Sequence, residues 1–218
     1  LGIIDDMQGI GEASHEVGVW MHVDGAYGGA GLAAPSIRHA FDGIELAHSF
    51  IVDPHKWLFA PFDCCALIYQ DPTIAREAHQ QQGAYLEVIY DGVWNSADYA
   101  HHLSRRARGL PLWFSLATHG TEAYAEAVEQ TLAVATEAAI RIEKHPDLEL
   151  VTEQNLSICV FRRKNWTPID YSRWSDKQLE TGQSFVTPTK HKGETVLRFC
   201  IVNPRTTVQH IEEILASL

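Results

Sequence analysis

Apolar residues recur along the chain first at helical spacing and then in short runs. Over residues 3–17, Ile4, Met7, Ile10 and Val17 lie roughly along one face of a helix, and Gly18 stands where it would end. Glycine suits that place because it takes the left-handed conformation that closes helices. Trp20 to Val23 reads as a short strand, and Asp24-Gly25-Ala26-Tyr27-Gly28-Gly29 then turns the chain. A second strand covers Ser49 to Val52 and stops at Asp53-Pro54. A third covers Cys65 to Tyr69 and stops at Asp71-Pro72. Helix, strand, loop, strand and strand predict an α/β sheet buried on both faces.

Residues 78–106 break the pattern. They hold Gly83, Gly92, three consecutive glutamines and several aromatics without a sustained period, which predicts a long loop, of a length that is usually functional or disordered. Helical spacing returns over 111–144, through Leu112, Leu116, Tyr124, Val128, Leu132 and Ala135, with a bend or break at Gly120 and a stop at Pro146. Strands are predicted at Leu156 to Arg162 and Thr195 to Val202, and a closing helix over Val208 to Leu218. The second half reads as a small α+β domain. The division is therefore 1–119 for the main sheet, including the loop, and 120–218 for the smaller domain.

Composition narrows the function classes. The 218 residues are 45% hydrophobic, enough for a real core. With 17 basic and 28 acidic residues the formal net charge is −11, which argues against nucleic acid or an anionic membrane as partner. No stretch approaches the roughly 20 apolar residues of a membrane span. The four cysteines, Cys64, Cys65, Cys159 and Cys200, form no C-x-x-C pair and read as reduced thiols of a cytoplasmic protein. The chain opens at Leu1 rather than Met, so the natural N-terminus is expected upstream. Among twelve histidines only His101 and His102 are adjacent, and adjacent side chains do not converge on one ion; no metal site is expected. Nor do Gly9, Gly11, Gly28 and Gly29 make a phosphate loop after a strand.

Asp24 and Lys56 each fall at or just past the C-terminal end of an apolar strand, where ligands bind in open α/β sheets. An ordinary salt bridge is one reading of that pair. The turn Asp53-Pro54-His55-Lys56-Trp57 favours another, since it groups a histidine, a lysine and a large aromatic. A partly desolvated lysine can form a Schiff base. A carboxylate can keep a pyridine nitrogen protonated.

His22-Val23-Asp24-Gly25-Ala26-Tyr27-Gly28-Gly29, Asp53-Pro54-His55-Lys56-Trp57-Leu58 and Phe62-Asp63-Cys64 resemble the group II pyridoxal-phosphate (PLP) dependent amino-acid decarboxylases. Leu197-Arg198-Phe199 and Asn203-Pro204-Arg205-Thr206-Thr207 resemble that family's C-terminal domain, so the likeness spans most of the chain. It implies the aspartate-aminotransferase-like type I PLP fold, PLP as cofactor, a small amino-acid substrate and a homodimer with the active site at the interface. It implies decarboxylation to an amine and CO2 through a Lys56 Schiff base and a quinonoid intermediate, or the chemistry of an aldehyde-forming relative.

By the same resemblance, Asp24 partners the pyridine nitrogen, Ala26 lies against the ring and His55 contacts the phosphate or Schiff-base region. Arg198 receives the substrate carboxylate, as a planar guanidinium suits it. Phe62 and Ser104 fall at substrate-facing positions, and Tyr85 matches a loop tyrosine that acts as general acid. Asp53 stands where some members carry Asn, and its charge would repel a phosphate. The family's phosphate-cradling helix and its ring-stacking histidine belong to an N-terminal half that these residues do not include. The chain alone is therefore expected to be inactive, and a non-catalytic role in a dimer surface is the other reading.

Overall fold

The computed structural model describes residues 1–81 and 95–218. Helix α1 covers Met7–Val17. The Asp6 side chain caps it by accepting from Gly9 N at 3.0 Å, and Gly18 closes it at φ 68°. Strand β1, His22–Asp24, leads into three 3₁₀ turns, Gly28–Ala33, Pro35–Phe41 and Ile44–Leu46. Strand β2 is Ser49–Val52, helix α2 is Pro54–Trp57, strand β3 is Ala66–Tyr69 and helix α3 is Pro72–His79. The order in this sheet is β1-β2-β3, with β1 parallel and β3 antiparallel to β2.

The expectation that this sheet is buried on both faces does not hold within the chain. Leu67 and Ile68 point to opposite faces of β3, and both are exposed. An antiparallel partner needs no crossover helix, so the link from β2 to β3 lays none across the sheet. The long loop expected over 78–106 is also interrupted. Helix α3 runs to His79 and a further 3₁₀ turn covers Ser96–Tyr99.

Helix α4, Leu110–Lys144, has its break at Gly120, whose φ of 78° and ψ of 164° leave the helical region. It ends before Pro146. Strands β4 (Leu148–Leu150), β5 (Ile158–Arg163), β6 (Pro188–His191) and β7 (Glu194–Cys200) make an antiparallel sheet of order β4-β5-β7-β6. Helix α5, Pro168–Glu180, lies between β5 and β6, and helix α6, Val208–Ala216, follows β7. Beyond the kink, α4 serves both regions. Val128 and Leu132 join Met7, Met21, Phe41 and Trp57 in one core, while Val134, Ala138 and Ile142 join Phe161, Trp174, Leu197 and Phe199 in the other.

Candidate active site

The parallel register pairs Asp24 with Ile51, so the ends of β1 and β2 lie on one edge of the sheet. Beyond that edge, Asp53 N donates to Ala26 O at 2.9 Å and ties the two motif loops together. The Asp24 carboxylate accepts from Ala26 N at 3.0 Å, which turns the chain at Gly25. Gly25 and Gly29 are needed for this approach: a Cβ on either would come within 2.3 or 2.5 Å of the Phe50 ring on β2. Asp24 is exposed at the loop and lines a cavity of about 280 Å³ with Met7, His22, Gly28, Phe50 and Leu156.

Lys56 sits in the one-turn helix α2, which Trp57 anchors. Trp57 is fully buried, donates from Nε1 to Thr131 Oγ1 of α4 at 2.9 Å, and stacks on Tyr27 at 5.0 Å between ring centroids. Its neighbour's amine stays accessible. Lys56 Nζ lies 2.8 Å from Asp53 Oδ2, so the carboxylate it meets is Asp53 rather than Asp24. Burial works to raise the Asp53 carboxyl, but the Lys56 ammonium and the Cys65 thiol that face it hold it below the usual carboxylate range. Cys65 is pushed up to about 11 by burial and by this carboxylate.

His55 Nδ1 accepts from Cys64 N at 3.1 Å, and its ring meets Phe62 edge-on at 4.9 Å. Phe62 itself is almost fully exposed. Asp63 is gripped by Arg106 at 3.0 Å and Arg108 at 2.9 Å, which holds their segment beside the Phe62–Cys64 turn. Ser104, exposed, belongs to that segment.

Arg198 pairs with Val160 in the second sheet and is exposed. It lines a different cavity, of about 380 Å³, with Phe185, Cys200 and Ile214. Besides α4, Tyr27 joins the two regions, and sequence reasoning passed it over. Its hydroxyl bonds Ser157 Oγ, 130 residues away, and the ring packs against Ile158, Val160 and Val196. Burial pushes the Tyr27 phenol well above its ordinary range. No local spacing signals a contact of that kind. The structure therefore brings Ala26, His55 and Lys56 to one sheet edge, with Asp24 on its own cavity and Arg198 on another. Tyr85 lies outside the described residues. Among the described residues no group of three or more His, Cys, Asp or Glu is arranged to hold a metal ion.

Residues 1–164 match the family model described as the pyridoxal-dependent decarboxylase conserved domain. The chain belongs to that family. It is similar to tyrosine decarboxylase 2 of Arabidopsis thaliana, with 32% identity over 222 residues covering 96% of this chain and 40% of that protein. It is equally similar, at 32% over 201 residues, to 3,4-dihydroxyphenylacetaldehyde synthase of Aedes aegypti, covering 90% of this chain and 38% of that one. Among solved structures, Oryza sativa TDC with PLP and tryptamine superposes with a TM-score of 0.87 at 26% identity, covering 98% of this chain and 47% of that chain. Mouse CSAD does so with 0.88 at 26%, covering 99% and 48%. The chain spans about two fifths of these curated relatives and half of these structures. Its fold is the type I PLP fold of these enzymes, and PLP is the family's cofactor.

The residues present fit that group. Lys56 offers an accessible primary amine for an aldehyde, Asp24 a solvent-facing carboxylate for a ring nitrogen, and Ala26, bonded through its N to the Asp24 carboxylate and through its O to Asp53 N, a side chain small enough to leave room for a planar ring.

Proposed function

We propose that this chain carries the lysine-bearing part of a PLP-dependent decarboxylase that converts an aromatic L-amino acid to its amine and CO2. One observation carries the reading. The Asp53 N to Ala26 O bond at 2.9 Å and the parallel register join the Asp24 and Lys56 motifs at the carboxyl edge of one sheet. The relatives named for aromatic amino acids support the substrate class. Homodimerisation belongs to the same reading on the family resemblance, a boundary near residue 120 on the pattern of helix and strands, and a cytoplasmic location on the unpaired cysteines.

Bound PLP supplies an electron-withdrawing ring that stabilises charge left on the substrate α-carbon. Lys56 Nζ holds the cofactor covalently, and α2, pinned by Trp57, fixes where that nitrogen can reach. Asp24 keeps a proton on the ring nitrogen. By the resemblance Ala26 would leave room for the ring, and His55, held by the Cys64 backbone, is the neighbour of Lys56 in α2. Arg198 grips the α-carboxylate as a planar fork. Tyr85 enters through the resemblance, as the acid that returns a proton to the α-carbon.

Borohydride reduction of the protein incubated with PLP, followed by peptide mapping, is expected to place the pyridoxyl group on Lys56. A label concentrated on any other lysine overturns the reading. The relative from Aedes aegypti favours a second outcome, an aldehyde in place of the amine. The ratio of amine to aldehyde released by the complete enzyme decides between them.

A further inference from the structure

Asp53 is the residue of the lysine turn that the functional reading leaves without a task. Its backbone is held on both sides: its N donates to Ala26 O and its O accepts from Lys56 N, each at 2.9 Å. Its side chain is only 13% exposed, against 43% for Lys56. Two donors reach it, the Lys56 amine and the Cys65 thiol, with the His55 ring just beyond hydrogen-bond distance. Lys56 Nζ lies at 2.8 Å and His55 Nε2 at 4.0 Å from the same oxygen, and the Cys65 thiol donates to the carboxylate. The fixed carboxylate thus holds the mobile amine on the α2 side of the turn.

We propose that Asp53 is a positioning residue that competes with the cofactor aldehyde for Lys56 Nζ and so sets the rate at which the lysine is loaded. The inference rests on the reading of Lys56 as the cofactor lysine. To condense, Nζ must leave Asp53 and release a proton to solvent. Its lone pair then forms the C–N bond to the aldehyde carbon. The carbonyl oxygen, taking up two protons, departs as water, one further proton coming off the nitrogen as the C=N bond forms. Breaking the Lys56–Asp53 pair comes first, and the pair is partly exposed, so the retardation is modest.

The test follows Lys56 occupancy by timed borohydride quenching and peptide mapping, with PLP and with pyridoxal, which lacks the phosphate. Asp53→Asn keeps the shape and removes the charge. It is expected to load Lys56 roughly fivefold faster than the native protein with both aldehydes. Asp53→Ser, smaller and uncharged, is expected to do the same, and guards against a folding defect peculiar to Asn. Acceleration with PLP alone would mean that Asp53 acts by repelling phosphate, and overturns the proposal. So does an unchanged or slower rate with both aldehydes. If the native protein itself leaves Lys56 unlabelled while other lysines react, it is the cofactor-lysine reading that fails.

Discussion

In the four-stranded sheet Cys159, Val160, Phe161 and Leu197 are fully buried, whereas in the three-stranded sheet Leu67 and Ile68 are 46% and 52% exposed. Strands β2 and β3 of the first sheet are as apolar as β5 and β7 of the second. What differs is the covering. Helices α4, α5 and α6 supply Ile142, Trp174, Ile211 and Leu215 to the core around the second sheet. The first sheet packs against the loops at its carboxyl edge, Trp57, Met7 of α1 and Val128 and Leu132 of α4, and its β3 edge stays open. Folding free energy therefore concentrates in the second region. Chemistry concentrates in the first, where side chains must remain reachable.

The contrast is broken most directly at Phe161. Its ring is buried against Phe199, with centroids 4.7 Å apart. Phe161→Ala is expected to destabilise the chain by about 3–5 kcal/mol, through lost burial and the cavity left behind. Chemical denaturation checks it. A loss below about 1 kcal/mol would show that the second sheet does not carry the fold.

Asp24 offers the opposite profile. Asn keeps an oxygen that can accept from Ala26 N, so Asp24→Asn is expected to leave the denaturation midpoint nearly unchanged. Without the charge, the ring nitrogen loses its proton partner. Release of CO2 by the complete enzyme is expected to fall about 100- to 1000-fold, the size seen when one charge-stabilising contact is removed from a site. Native turnover in this variant would remove Asp24 from the chemistry. A large loss of stability would mean that Asp24 belongs with the fold instead.

The two regions were also unequally legible in the sequence. Strand β2 carries the bounds predicted for it because Pro54 forbids its continuation, and the kink of α4 falls at the predicted Gly120. Helix α5 went unread, although Thr167-Pro168-Ile169-Asp170 is a capping box with Pro at the first helical position. Its buried face shows only Tyr171, Trp174 and Gln178, too few apolar positions to set a period. Strand β6, Pro-Thr-Lys-His, is an edge strand whose pairing with β7 supplies what its composition does not. In the site, the motifs located Lys56 and Asp24, but the lysine's partner is Asp53, three residues before it, because α2 turns Nζ back onto that carboxylate. Contacts such as Tyr27 with Ser157 or Asp63 with Arg106 and Arg108 join residues 43 to 130 positions apart. They exist only once the chain has folded.

The smallest expected effect sharpens the comparison. Leu67 stands on β3 opposite Ile51, roughly half of it in solvent. Truncating a side chain removes free energy in proportion to the apolar area it had taken from water, at about 25 cal/mol per Å². Half of a leucine's area, with no enclosing cavity, gives a loss for Leu67→Ala of about 1 kcal/mol or less in dilute protein. Denaturation curves at increasing protein concentration test whether that small loss belongs to the single chain. A cost that stays small at every concentration keeps β3 an open edge in solution. A cost that grows with concentration would mean that a second copy covers β3, because only association makes stability depend on the amount of protein. A cost near that of Phe161→Ala at the lowest concentration would mean that the first sheet is as deeply packed as the second, and the division between a region that folds and a region that reacts would not stand.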